Sequence, residues 1–141
     1  MSTEQNKTLV RRLYEEAVDQ ANLAVLDELI AANIVVHTPI PGVVPNREGF
    51  RQFLQGFLNA FPVQHTEVHE LIAEADQVVA RHTHHVVHGG DFMGAPPTGR
   101  EAHVPGIEIF RIANGQVAEM WHQDDLLSLM QQLGLIPARG Q

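Results

Sequence analysis

A chain of 141 residues with 44% hydrophobic and 18% charged side chains has material for one hydrophobic core, so a single domain over residues 1–141 is expected and disorder is excluded. Lys and Arg number 9 against 17 Asp and Glu, a formal net charge of -8 that leaves no basic face for a phosphate backbone and excludes nucleic acid as a partner. The absence of cysteine excludes disulfides, thiolate catalysis and cysteine-bound metal; the polar amino end "MSTEQNKTLVRR" and the lack of a long apolar run predict a cytoplasmic protein with no membrane partner.

Leu9, Val10, Leu13, Ala17 and Val18 recur at helical spacing behind Ser2 and Thr3, which predicts a capped helix over roughly residues 4–19. Asn22 is placed to cap a shorter helix, "LAVLDELIA", followed by a brief strand in "NIVVHTP" stopped by Pro39 and Pro41. "PIPGVVPN" is a loop. Asn46 opens a third helix whose Phe50, Phe53, Leu54, Phe57, Leu58 and Phe61 form one broad apolar stripe. Beyond Pro62 the period moves toward two, with strands expected at about 65–73, 77–89, 103–113 and 116–122. "EADQ" turns the first pair, "GGDFMGAPPTGR" is a longer loop, and "ANGQ" signals a hairpin. Asp124 or Asp125 then caps a last short helix ended by Gly134. Helices followed by an antiparallel meander imply an α+β fold, a cone-shaped barrel in which a curved sheet wraps around helices and encloses a pocket.

Glu108 stands among apolar neighbours on the even face of "HVPGIEIFRI", with Val104, Gly106, Phe110 and Ile112. Desolvation there would raise its pKa toward the range useful to a general acid or base; the alternative is an edge position in water or beside a cation. Its relation to His122 depends on the hairpin. A two-residue turn at Asn114-Gly115 pairs Ala113 with Gln116 and puts His122 and Glu108 on opposite faces. A three-residue loop with Gly115 left-handed pairs Ile112 with Gln116 and Gly106 with His122, so that Glu108, Met120 and His122 share a face and Gly106 leaves open space before the imidazole. Dipeptide preference favours the first.

"HTHHVVH" is the chief rival to this site. His82 and His84 lie on one strand face roughly 7 Å apart, a spacing that can chelate a metal, whereas His88 is roughly 20 Å from His82. Ordinary strand positions or pocket lining outweigh the metal reading, and none is assigned. Asp124 and Asp125 suit capping better than catalysis, although Asp125 could orient His122. Trp121, facing away from His122, suits the core or a subunit contact; His65, His69 and His103 carry no sharper reading.

The element order, "HGGDFMGAPPTGR", "IEIFRIANGQVAEMW" and "LMQQLG" resemble the SnoaL-like polyketide cyclases, also called predicted ester cyclases, of the nuclear transport factor 2-like superfamily. The resemblance covers nearly the whole chain. It implies an α+β cone with a deep pocket and, without metal or organic cofactor, an intramolecular aldol cyclisation or isomerisation of an apolar carbonyl compound. It also implies a homodimer formed through the sheet, and it supports the three-residue loop. Counting back from "QLG", the family's acid falls on His122, and polar pocket positions fall on Gly106, Glu108 and His37. An imidazole with an ordinary pKa of about 6.5 exchanges protons near neutrality. His122 and Glu108 are thus the expected proton-transfer groups, with His37 and Asp125 orienting; Gly106, Phe110, Met120, Phe53 and Phe57 would line the substrate. Hydrolysis in the same pocket, or binding of apolar metabolites without catalysis, are the alternatives.

Overall fold

The computed structural model describes residues 1–37 and 43–137. The expected stop at Pro39 and Pro41 lies outside them. Ser2 opens helix α1, Thr3–Arg12, through a capping box with Gln5. The chain continues, more widely wound, as a π-helical segment at Leu13–Asp19, so the expected helix of residues 4–19 exists with its second half in a rarer geometry. A 3₁₀ turn at Leu23–Val25 leads into the single turn α2, Leu26–Leu29. Asn22 stands at the cap position but its side chain makes no capping bond. Strand β1, Ile30–Val36, starts earlier than the sequence suggests, on buried Ile30. Asn46 accepts from Gly49 N at 2.8 Å and starts α3, Arg47–Ala60.

Four long strands follow: β2 Val63–Glu74, β3 Gln77–Val87, β4 Glu101–Ala113 and β5 Gln116–Asp124. They form one unclosed sheet in the order β1-β5-β4-β3-β2, antiparallel except for the parallel β1 and β5 pair. The α+β expectation holds, and the meander is as read. Asp125 accepts from Ser128 N at 3.0 Å and caps α4, Leu126–Gln132.

Even-numbered residues of β3 and β4 face the helices. Val78, Ala80, Phe110 and Ile112 join Leu9, Val10, Leu13, Tyr14 and Ala17 in the main core, while Phe61, Val86, Val104 and Leu133 form a second cluster toward α4. Odd-numbered residues lie on the outer face. The interior face therefore carries the apolar mass, and any polar residue on it must find partners there.

The hairpin between β4 and β5 corrects both registers considered from sequence. Asn114 and Gly115 both have left-handed φ, 52° and 73°, as a type I′ turn requires, and Ala113 pairs with Gln116. The three-residue loop is not formed. The ladder then shifts: Ile112 pairs with Val117 but Arg111 with Glu119, so Ala118 is an extra residue on β5. That bulge places His122 directly opposite Glu108. The shared face was expected, but its cause lies within the strand.

Candidate functional site

Four buried or half-buried ionisable groups and one phenol meet on the inner face of β3, β4 and β5. Glu108 is the hub. Its Oε1 accepts from Tyr14 Oη at 2.6 Å and meets His82 Nε2 at 2.9 Å; its Oε2 meets His122 Nδ1 at 3.0 Å. The other ring nitrogen of His122 lies 3.1 Å from Asp124 Oδ2. His122 is thus held between two carboxylates, its side chain 21% exposed while that of Glu108 is only 8% exposed. Phe53 of α3 stands nearly perpendicular to the imidazole, with ring centroids 6.4 Å apart and an interplanar angle of 81°.

Ladder positions create this arrangement. Glu108 and His122 are cross-strand partners, and His82, Gly106 and Asp124 form the next inward row across the same three strands. Gly106 is the enabling gap: a Cβ there would collide with Asp124 Oδ1 and come within 2.7 Å of His82 Cε1. The space expected before the His122 imidazole is therefore filled by Asp124 and His82.

Charge follows from these contacts. Burial pushes the Glu108 carboxyl up, but hydrogen bonds and charges from His122 and His82 outweigh it and hold the group well below the usual carboxylate range. The expected upward shift is corrected, because desolvation is opposed by hydrogen bonds on both oxygens. Burial lowers His122, yet hydrogen bonds to Asp124 and Glu108 raise it to about 10. Tyr14 is raised by burial first and by the Glu108 charge second. At neutral pH the center holds an anionic Glu108, an imidazolium at His122 and a neutral phenol.

Other expected members stand elsewhere. His37 is on the outer side, bonded to Glu119 and stacked on Trp121 at 4.7 Å, because parallel pairing of β1 beside Met120 carries the next residue away from the interior. It does not orient His122. Asp125 is exposed and spends its carboxylate on the α4 cap, so Asp124 orients the imidazole instead. Phe110 and Met120 share the interior face but are sealed in the core at 0% and 2% exposure. Phe53 and Phe57 are half-buried beside His122 and His84.

Tyr14, His82 and Asp124 were not assigned these roles from sequence. Tyr14 left one signal: it is the sole tyrosine, on an apolar helical stripe, and a buried phenol needs an acceptor. His88 anchors the loop after β3, where its Nδ1 accepts from Thr98 N at 3.2 Å. No helix among the described residues is long and apolar enough to cross a membrane.

The structure is similar to several solved ones. TsrD from Streptomyces laurentii aligns with a TM-score of 0.87 at 27% identity, over 96% of this chain and 99% of that one. IdmH from Streptomyces antibioticus, a candidate polyketide cyclase, aligns at 0.82 and 31% identity over 92% and 99%. AclR from Streptomyces galilaeus, a candidate hydroxylase, aligns at 0.85 and 27% over 97% and 85%. Comparison with curated proteins finds no significant match. The family model of SnoaL-like polyketide cyclases matches residues 8–133, and the chain belongs to that family.

Proposed function

We propose that the protein catalyses proton transfer at carbon next to a carbonyl in an apolar, polyketide-like molecule, leading to aldol ring closure or isomerisation, with His122 as the group that meets the substrate. The observation that carries this reading is the seat of His122 between Glu108 and Asp124, with its side chain 21% exposed and Phe53 packed beside it. Family membership supports the reaction class.

The resting imidazolium donates Nε2–H to the substrate carbonyl oxygen as Asp124 gives up that hydrogen bond. Asp124 then takes the α-proton: the C–H bond breaks, its electron pair forms the enol double bond, and the oxygen gains the proton of His122. In ring closure the enol carbon attacks a second carbonyl of the same molecule, and its oxygen is protonated as the enol loses its own proton. Transfer from protonated Asp124 back to His122 restores the resting state. Glu108 stays anionic and fixes the ring through Nδ1, as Tyr14 and His82 fix Glu108.

The test is deuterium incorporation at the α-carbon of an aromatic 1,3-diketone in D₂O, followed by NMR. His122→Ala is expected to slow exchange by about 10²-fold or more while the diketone still binds. Equal exchange by native protein and His122→Ala would overturn the reading in favour of binding alone.

A further inference from the structure

His84 is buried beside the proton-transfer center and takes no part in it. Its ring and that of His82, two residues away on β3, are 4.5 Å apart between centroids. Asp124 approaches from two strands away because Gly106, between them in the ladder, has no side chain. One donor atom from each of His82, His84 and Asp124 lies within 4.8 Å of the other two. We propose that these three side chains bind a divalent transition-metal ion of the zinc class.

Each donor is held from behind in the manner of metal ligands. His82 Nε2 is tied to Glu108 Oε1, and its buried Nδ1 has no hydrogen-bond partner among the described residues. His84 Nδ1 is tied to the buried Thr66 Oγ1 at 2.9 Å, which leaves Nε2 as its ligand atom. Asp124 Oδ2 is tied to His122, and its buried Oδ1 accepts no hydrogen bond among the described residues and faces His82 Nε2 at 3.8 Å. Metal-binding histidines commonly use their second ring nitrogen to bond a carboxylate or other oxygen, which fixes the tautomer and aims the lone pair. Buried polar atoms without hydrogen bonds are uncommon, and a cation held by these residues would satisfy Asp124 Oδ1. Two imidazoles and one carboxylate suit zinc, iron(II) or nickel rather than magnesium or calcium. The metal would take Asp124 Oδ1 and leave Oδ2 on His122, so the site stands whether or not His122 and Asp124 move protons, and its readout is binding.

The experiment is a Co²⁺ titration of the full chain after chelator treatment, followed by visible absorption and NMR. One Co²⁺ per chain is expected, with paramagnetic shifts centered on His82 and His84. His84→Ala and Asp124→Asn should each weaken binding about tenfold or more. Replacing the outer-face pair, His85→Ala with His103→Ala, should leave it unchanged. Failure to bind stoichiometrically, or paramagnetic shifts centered on His85 and His103, would overturn the proposal. The native-chain shifts decide the matter even where a variant fails to fold.

Discussion

Glu108 is a carboxylate with three donors on two oxygens, and each donor comes from a different element. Such a group is costly to bury alone and stabilising only while its partners remain. Tyr14→Phe removes one charged hydrogen bond without changing shape, so a loss of about 1.5–3 kcal/mol in urea unfolding is expected; no loss would show that the phenol is not bonded to Glu108. The pairing of Asp124 and Asp125 shows what adjacent residues of one type conceal. Sequence supports a cap and an orienting acid but cannot divide the roles, because one residue of register decides which carboxylate faces inward. Tyr14 was hidden for a different reason: its partner is 94 residues away.

At the level of elements, the hairpin determines the site. The Asn114-Gly115 turn was legible from its dipeptide, since both residues must be left-handed. The bulge was not, because Ala118 in "QVAEM" carries no glycine or other local mark, and the inward side chain of His122 depends on it. Deleting Ala118 should close the ladder while Arg111 still pairs with Glu119 and Glu108 with His122. Cross-strand amide NOEs between β4 and β5 in that variant check this; loss of the Glu108 and His122 pair would contradict the assigned register. The π-helical turn of residues 13–19 is a second feature beyond sequence reading, and it carries the phenol to the hub. By contrast the strands of the meander, the α3 cap and the phenylalanine stripe were legible because period and cap residues report local geometry directly.

Over the whole molecule, the interior face holds the core and the polar center, and apolar residues on the outer face of the sheet remain exposed or half-exposed. A row of apolar residues crosses it: Ile72, Val79, Ile109 and Trp121 are successive ladder partners. Ile72 is 57% exposed and nearby Ile107 50%. An apolar belt of this kind favours association, and we propose that two chains pair across it. Light scattering should give twice the 15.6 kDa chain mass, reduced toward one chain by Ile107→Glu with Ile109→Glu; a native mass of one chain would contradict the pairing. His37, stacked on Trp121, belongs to this outer surface.

The proposed proton transfer rests on a histidine held between two carboxylates. With its pKa raised above the ordinary 6.5, His122 contributes stability that is complete below 6.5 and fades as pH rises toward about 10. The most direct test is ¹⁵N NMR titration of the His122 ring in metal-free protein. The geometry predicts an imidazolium throughout neutral pH that loses its proton near 10, and a midpoint brought down by Glu108→Gln. A native midpoint near 6.5, unmoved by Glu108→Gln, would contradict it.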